Sequence, residues 1–177
     1  MSDPRYDYPR VNAIKVIIQA PSKKILLLQE PETNEWMPLH WGLPGGKPLK
    51  NESLLGAFRR KMTEEIGLDV EPEGIFRIEE LIQGDKTIFM YILFAKAQDE
   101  FIPQGEAKTH RWATPEEIHN MSLTEWTEFF NKDVLESVLT GEHPIIPLSV
   151  VETRNYNELA EDEKYKEWFS SGKKESK

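Results

Sequence analysis

Short runs of apolar residues, separated by turn residues, mark the beginning of the chain. Residues 11–19 are rich in β-branched side chains, and residues 24–29 form a second apolar run. The segment between them, 20–23, contains a proline and a serine, which favour a turn. This arrangement is typical of a β-hairpin, so we expect two paired strands here. Residues 30–50 then contain four prolines and two adjacent glycines, and they predict a long loop of the kind that often carries function.

The period of the apolar pattern changes after this loop. At about 100° per residue, the large apolar side chains of residues 52–66 fall within an arc of about 80° on one side of a helix. These side chains are Leu55, Phe58, Met62 and Ile66. Asn51 precedes the run as the expected N-cap, and Gly67 follows it as a residue that can end a helix. We therefore predict a helix over residues 52–66 whose apolar side is buried.

Strand-like patterns return after the predicted helix. Residues 74–81 and 87–96 predict two strands joined by a turn at 83–86. Residues 108–113 predict a short further strand, and residues 145–151 predict an extended piece near the end of the chain. Together with the first hairpin, the expected extended segments lie in four separate parts of the sequence.

Two helix starts follow the strand predicted at 108–113. Thr114 before Pro115 indicates the first, because proline is favoured at the first helical position. Ser122, followed three residues later by Glu125, forms a capping box that predicts a second helix ending at Gly141. The apolar residues of this second helix predict a buried side made of Leu123, Trp126, Phe129, Phe130, Val134 and Val138.

The order β-β-loop-α-β-β-β-α-α predicts mixed α and β structure around a single sheet. We assign residues 11–141 to this domain. Residues 1–10 are polar and contain two prolines, which predicts an N-terminal arm. Residues 142–177 predict a C-terminal extension that is partly helical, and its acidic helix is either a solvated surface or an element of a homodimer.

Composition narrows the classes of function. The 177 residues carry a formal charge of −9 and no cysteine. The negative balance argues against binding to duplex nucleic acid, but it is compatible with a small anionic substrate bridged by a divalent cation. The lack of cysteine excludes disulfides, thiolate nucleophiles and cysteine-ligated metals. No apolar run approaches about 18 residues and no signal-peptide core is present at the start, so we expect a soluble cytoplasmic protein with no membrane partner.

The residues that carry chemistry lie in the predicted helix and just before it. Glu52 follows Gly46 by six residues, and Arg60 follows Glu52 by eight, so the two charged residues can form a brace between loop and helix. Glu64 and Glu65 lie away from the buried side, and adjacent carboxylates repel unless a cation lies between them. Hard oxygen ligands at a loop–helix junction suit Mg²⁺ or Mn²⁺. The alternative is that the two glutamates are part of a solvated helix face.

The complete spacing resembles the Nudix box, in which glycine, glutamate, an Arg-Glu pair, a Glu-Glu pair and a Gly-aliphatic pair follow one another at set intervals. The corresponding positions here hold Gly46, Glu52, Arg60, Glu64-Glu65 and Gly67-Leu68. The flanks also resemble the family, with Trp41-Gly42-Leu43-Pro44-Gly45-Gly46 before the box and Arg111-Trp112, then Thr114-Pro115-Glu116-Glu117, after the last strand. The resemblance covers roughly residues 11–139.

This resemblance implies a Nudix-type α/β/α sandwich with a mixed β-sheet between helices. It also implies Mg²⁺-dependent hydrolysis of a nucleoside diphosphate linked to another moiety, in which water attacks phosphorus and a carboxylate takes the proton. The implied metal ligands are Glu64, Glu65 and the carbonyl of Gly45. The implied catalytic residues are Glu65 and Glu106, because family members often carry an acid in the loop before the Trp-containing strand. Glu106 is otherwise a solvated loop acid.

One position of the box departs from the family pattern. Lys61 stands where the family has the glutamate of its Arg-Glu pair, and on a helical wheel it lies between Glu64 and Glu65. Two like charges about 4 Å apart repel by roughly 4 kcal/mol at an effective dielectric constant near 20, so this ammonium either turns to solvent or weakens the metal site. Two interpretations stay open. The chain is a hydrolase, at full or reduced activity, or it is a non-catalytic Nudix domain that binds a nucleotide or regulates through it.

Substrate contacts are less well defined by the sequence. Lys47 follows the glycines and can meet a phosphate, and Trp36 lies in the same loop, although each also suits a surface or packing role. Gly84 and Lys86 stand where one known subfamily has proline and tyrosine. The substrate therefore stays open among nucleoside triphosphates, nucleotide sugars and dinucleoside polyphosphates. A third class of function is an acidic protein-interaction domain that uses the C-terminal extension.

Overall fold

The computed structural model describes residues 10–35, 37–107, 109–122, 124–127, 135, 141 and 144–154. The strands and helices in this part of the chain are β1 (Arg10–Gln19), β2 (Ile25–Gln29), β3 (Trp41–Gly42), β4 (Gly45–Gly46), α1 (Leu54–Ile66), β5 (Pro72–Gln83), β6 (Lys86–Lys96), β7 (His110–Ala113), α2 (Pro115–Asn120) and β8 (Ile146–Pro147). A 3₁₀ turn covers Leu148–Val150. No helix among these residues is long and apolar enough to cross a membrane.

The described strands form one mixed sheet. Their order is β3-β2-β1-β6-β5-β8, with β4 paired to β1 and β7 paired to β2. β1 and β6 run parallel, from Arg10 opposite Thr87 to Gln19 opposite Lys96, whereas β1 and β2, and β5 and β6, form antiparallel hairpins. The predicted α/β fold with a mixed sheet is therefore confirmed, and the turns predicted at 20–23 and 83–86 lie where the two hairpins reverse.

The central strands send alternate side chains into two buried clusters, as the two-residue period of a strand requires. On one side of the sheet, which we call the α1 face, side chains from β1 pack against α1: Ile14, Val16 and Ile18 against Ala57, Phe58, Met62 and Ile66. On the other side, the α2 face, Ile17 of β1 belongs to the cluster that contains Ile118 of α2. The sheet is thus covered on both faces. The contacts on the α1 face hold α1 against β1.

The start of α1 differs from the sequence prediction. Ser53, and not Asn51, is the N-cap, since its hydroxyl accepts a hydrogen bond of 3.0 Å from the N–H of Gly56. Asn51 has a left-handed backbone with φ of 62°, and the carboxylate of Glu52 turns back to accept from the N–H of Leu49 at 2.7 Å. The two residues expected to open the helix therefore build the turn that precedes it.

The rest of α1 follows the predicted pattern closely. The helix ends at Gly67, whose φ is 72° and whose N–H donates to carbonyls of the last turn. The buried residues of the helix are Ala57, Phe58, Met62 and Ile66. Leu55, which the helical wheel placed on this side, is only half-buried. The buried side of α1 faces the sheet, so the charged residues of the helix lie on its other sides.

The chain after α2 does not begin the helix predicted at Ser122. Glu125 does accept a hydrogen bond from the N–H of Ser122 at 3.1 Å, as a capping box requires. However, the N–H of Trp41 donates to the carbonyl of Glu125 at 2.6 Å, and the N–H of Thr127 donates to the carbonyl of Trp41 at 2.9 Å. Trp126, which is buried as predicted, forms a bridge to Trp41. Backbone groups used in this pairing are not available for helical hydrogen bonds, so residues 124–127 form a turn and a bridge.

Part of the predicted C-terminal half lies outside the described residues. This holds for Lys108 and for the predicted buried side of the second helix apart from Trp126. It also holds for residues 1–9 and 155–177. Leu135, which was not among the residues predicted to be buried, is helical and buried. Within the described part, β7 begins at His110, and the segment predicted as extended at 145–151 contains β8 and the 3₁₀ turn.

Candidate active site

β4 brings two glycines of the box against α1. β4 lies beside β1, where Lys15 opposes Gly45 and Ile14 opposes Gly46. Gly45 has a φ of 150°, and a Cβ at this residue would overlap the carbonyl oxygen of Ile14. Only glycine fits this approach, because it has no Cβ. From this position the N–H of Gly45 donates to Oε2 of Glu65 at 2.9 Å.

The loop before α1 is joined to the helix by an ion pair, the Glu52–Arg60 brace. Nε and Nη2 of Arg60 donate to Oε1 and Oε2 of Glu52 at 2.9 and 2.8 Å, and Nη2 also donates to the carbonyl of Lys47 at 3.1 Å. The hydrogen bond from Arg60, followed by that from the N–H of Leu49, lowers the pKa of Glu52 to about 2. The bond to Glu52 likewise raises the pKa of Arg60. Bidentate contacts of this kind define position as well as charge.

Glu64 and Glu65, which we call the carboxylate pair, share one ammonium group. Nζ of Lys61 lies 3.0 Å from Oε2 of Glu64 and 3.5 Å from Oε1 of Glu65. Nη1 of Arg60 also donates to both oxygens of Glu64, at 3.3 and 3.1 Å. The side chain of Lys61 is only 22% exposed. Of the two directions that the sequence left open for Lys61, the structure shows the inward one.

Burial and pairing set the electrostatics of these groups. The hydrogen bond from Lys61 is the strongest influence on Glu64 and lowers the pKa of its carboxyl group. Burial is the strongest influence on Glu65 and raises its pKa, against the opposing effects of the Gly45 N–H and of the charges on Lys61 and Lys15. Burial also disfavours the charge on Lys61, but the hydrogen bond to Glu64 and the attraction of both carboxylates outweigh it, so the pKa of Lys61 is raised. Lys61 is therefore a cation at neutral pH.

A loop before β7 closes on the C-terminal end of α1. Three backbone N–H groups of this loop donate to carbonyls of the last turn: Gln104 to Ile66 at 2.8 Å, Glu106 to Glu64 at 2.7 Å and Ala107 to Glu65 at 3.1 Å. A Cβ at Gly105 would overlap the carbonyl oxygen of Glu64, so glycine permits this contact. The backbone of Glu106 thus lies beside the backbone of Glu64, whereas its side chain is exposed. Among the described residues, no three Asp, Glu or His side chains gather into a metal-binding group.

The two residues expected to contact substrate are placed differently. The side chain of Lys47 is exposed next to β4, and its carbonyl is held by Arg60. Trp36 lies outside the described residues. The side chain of Lys47 is therefore accessible to solvent, and the position of Trp36 is not described.

Sequence analysis missed Lys15. This residue lies in β1 opposite Gly45, and its Nζ donates to the carbonyl of Leu43 at 3.1 Å. Its charge is one of the influences that oppose the effect of burial on the pKa of Glu65. The signal that could have found it is a single lysine inside the apolar run of residues 13–18. A charged residue in a buried strand requires a partner, so this lysine indicates a polar contact.

An open cleft of about 400 Å³ lies on the α2 face. It is lined by Arg111, Glu116, Glu117, Asn120, Met121 and Glu125. The guanidinium of Arg111 lies 4.6 Å from the centroid of the Trp41 ring. The cleft offers space, but neither member of the carboxylate pair lines it. Because the charged groups held in place by hydrogen bonds lie at α1 and β4, we place the candidate active site there instead.

Comparisons with known proteins identify the family of this chain. A model of the NUDIX domain matches residues 9–137, and the chain therefore belongs to the Nudix family. The chain is 32% identical over 82 residues to the phosphatase NudJ of Escherichia coli K12, a match that covers 44% of this chain and 54% of that protein. The chain thus spans about half the length of the curated relatives it matches.

Solved structures show the same fold at low sequence identity. The MutT protein from Methanosarcina mazei Go1 aligns with a TM-score of 0.63 and 23% identity over 77% of this chain and 96% of its own. A NUDIX hydrolase from Nitrosomonas europaea aligns with a TM-score of 0.65 and 18% identity over 82% of this chain and 98% of its own. These likenesses support the fold of the described residues and leave the reaction to be argued from the site.

Proposed function

We propose that this chain hydrolyses the pyrophosphate bond of a nucleoside diphosphate linked to another moiety, and that the reaction takes place between α1 and β4. The observation that carries the proposal is the seating of the carboxylate pair against glycine backbone, with the N–H of Gly45 2.9 Å from Glu65. Membership of the Nudix family supports hydrolysis, as does the name phosphatase borne by the relative NudJ. The formal charge of −9 favours a small substrate over duplex nucleic acid.

The donor set suits Mg²⁺ or Mn²⁺. Glu64, Glu65 and the carbonyl of Gly45 are hard oxygen ligands, which these ions prefer, and they are the residues that would hold such an ion. When bound, a divalent ion neutralises charge on phosphoryl oxygens and makes a bound water more acidic. The ammonium of Lys61 lies 3.0 and 3.5 Å from the two carboxylates, so the ion fits only after the Lys61 side chain has moved.

The other residues of the site hold the loop in position or accept the proton of the attacking water. The Glu52–Arg60 brace holds the loop before α1, and through the Lys47 carbonyl it holds the backbone that follows β4. We assign the attacking water's proton to Glu65 or to Glu106, since a general base must come within hydrogen-bond reach of the water. Glu106 is a candidate because its N–H is 2.7 Å from the carbonyl of Glu64 and its side chain is exposed. Lys47 is exposed beside β4 and is our proposed phosphate contact.

One observation favours a second function, which is nucleotide binding without turnover. The carboxylate pair already has a cation in Lys61, so the chain has a charge arrangement that does not depend on added metal. In this case the chain binds a nucleotide equally well with EDTA and with Mg²⁺, and releases no product. Calorimetric titration of a non-hydrolysable nucleoside diphosphate analogue under both conditions separates this function from hydrolysis.

The test of the proposed hydrolysis is release of phosphate or pyrophosphate from a panel of nucleoside triphosphates, nucleotide sugars and dinucleoside polyphosphates, with Mg²⁺ and with Mn²⁺. Glu65→Gln is expected to lower kcat by about 10²- to 10⁴-fold, because it removes either a ligand or a general base. Glu106→Gln assigns the base, since a comparable loss of kcat makes Glu106 the residue that takes the proton. Glu71→Gln is the matched control, because Glu71 pairs with Arg59 at the surface with 66% of its side chain exposed.

The result that would reject hydrolysis is equally definite. Absence of turnover of every substrate by wild type and by Lys61→Glu, with both proteins folded, would exclude the proposed reaction. Turnover that appears only in Lys61→Glu would show that the scaffold is competent and that the natural chain binds without hydrolysis.

A further inference from the structure

Every oxygen of the carboxylate pair has a nitrogen partner. Oε1 of Glu64 lies 3.3 Å from Nη1 of Arg60, and Oε2 lies 3.1 Å from the same nitrogen and 3.0 Å from Nζ of Lys61. Oε1 of Glu65 lies 3.5 Å from Nζ of Lys61, and Oε2 accepts from the N–H of Gly45 at 2.9 Å. Lys61 pairs with both carboxylates. A divalent ion that bridges the pair must therefore replace this ammonium.

The stem of Lys61 has a place of its own in the structure. It runs along Gly46, where a Cβ would lie 2.8 Å from Cε and 3.2 Å from Cδ of Lys61. The missing side chain at Gly46 leaves room for the aliphatic part of the lysine, whose charged end then reaches the carboxylates. The inward direction of Lys61 therefore depends on a second residue that is distant in sequence.

The contact differs from an ordinary surface ion pair. Arg59, which also belongs to α1, and Glu71, which follows the helix, form a pair whose side chains are 54% and 66% exposed. The side chains of Lys61 and Glu65 are 22% and 21% exposed. Ion pairs are screened less when solvent is excluded, so Lys61 competes with an incoming cation more effectively than an exposed lysine would.

We propose that Lys61 is the resident cation of this site, so that its ammonium holds the position between Glu64 and Glu65 and a divalent ion binds only by displacing it. The inference rests on the proposed function, because it gives the carboxylate pair a role in binding metal. It goes beyond that function by assigning to one residue the control of metal affinity. The natural chain then binds Mn²⁺ weakly, and the carboxylate pair keeps its arrangement when metal is scarce.

The experiment is a titration of the full chain with Mn²⁺ alone, without nucleotide, followed by the electron paramagnetic resonance signal of the free ion. Lys61→Met keeps the length of the stem and removes the charge, and it is expected to lower the Kd at least about tenfold, because no ammonium has to be displaced. Lys61→Glu adds an oxygen ligand and is expected to lower the Kd further. Lys23→Glu is the matched control, since Lys23 is an exposed residue of the β1–β2 turn and undergoes the same change of charge.

A second set of variants shows where the ion binds. Adding Glu64→Gln and Glu65→Gln to Lys61→Met is expected to abolish the gain in affinity, since the ion then has lost both carboxylates. Circular dichroism of each variant establishes that it is folded before Mn²⁺ is added.

The proposal is overturned if folded Lys61→Met and Lys61→Glu bind Mn²⁺ with the wild-type Kd. It is also overturned if Lys23→Glu gains as much affinity as Lys61→Glu, because the effect is then one of net charge, or if the gain survives removal of both carboxylates. Since no substrate is present, these outcomes are independent of turnover. A chain that shows the Kd changes but hydrolyses nothing keeps this inference and loses the proposed function, and the reverse result does the opposite.

Discussion

The two faces of the sheet use charged residues in opposite ways. On the α1 face the charged side chains contact one another. Arg60, for example, donates to Glu52, to Glu64 and to the carbonyl of Lys47. On the α2 face Arg111 lies against the Trp41 ring at the edge of an open cleft of about 400 Å³. The cleft is thus separate from the positioned carboxylates. Open space and positioned charge therefore occur at different places in this domain, and our proposal depends on the charge.

This difference predicts that the α1 face tolerates little change in shape. Gly45→Ala is expected to lower the free energy of unfolding by at least about 3 kcal/mol, because the new Cβ would overlap the backbone of Ile14 at a strained φ of 150°. Gly46→Ala is the matched control. Its Cβ meets only the far end of the Lys61 side chain, which can move, so a loss of about 1 kcal/mol or less is expected. Urea denaturation measures both values, and equal losses would contradict the account.

The Glu52–Arg60 brace predicts a dependence of stability on pH. The pKa of Glu52 is lowered from 4.5 to about 2 in the folded chain, so its contribution is present above pH 4.5 and is lost as the pH falls towards 2. Wild type is therefore expected to have a higher Tm than Glu52→Gln at pH 7, with a difference that shrinks between pH 4.5 and 2. Thermal denaturation of both proteins across this range is the measurement. A difference in Tm that is the same at pH 7 and pH 2 would show that the carboxylate's charge is not what stabilises the fold.

The smallest effect is expected on the α2 face. Arg111→Met removes the contact of a guanidinium with the Trp41 ring, which is worth about 0.5–1 kcal/mol at a partly exposed site. Because Arg111 belongs to the cleft and not to the carboxylate pair, kcat is expected to stay at the wild-type value. Steady-state kinetics together with urea denaturation measure both quantities. A large fall in kcat would break the distinction between the two faces.

Local signals in the sequence predicted much of the fold. Both hairpins and the end of α1 at Gly67 depend on neighbouring residues, so they could be found without the structure. The prediction of Asn51 as the N-cap was wrong, because Ser53 is an equally good cap and the turn at residues 49–52 selects Ser53. The turn at Trp126 could not be found locally, since its partner Trp41 lies far earlier in the chain.

The candidate site shows the same limit. Spacing alone placed Glu52 eight residues before Arg60 and Lys61 between the two glutamates of the pair on a helical wheel. It could not decide the direction of Lys61, because that depends on the room left by Gly46 on another element. It also could not give the position of Glu106, whose backbone reaches α1 only through the close approach at Gly105. Contacts between distant segments decide both questions.

The central claim is that the carboxylate pair between α1 and β4 hydrolyses a pyrophosphate bond, and its most direct test is kcat of wild type beside Glu65→Gln. The measurement uses the best substrate of the nucleotide panel at saturating Mg²⁺ or Mn²⁺, with the folded state of both proteins checked by circular dichroism. The account predicts turnover by wild type and a loss of about 10²- to 10⁴-fold in the variant. Equal kcat values for the two folded proteins would contradict it and would place the reaction elsewhere in the molecule.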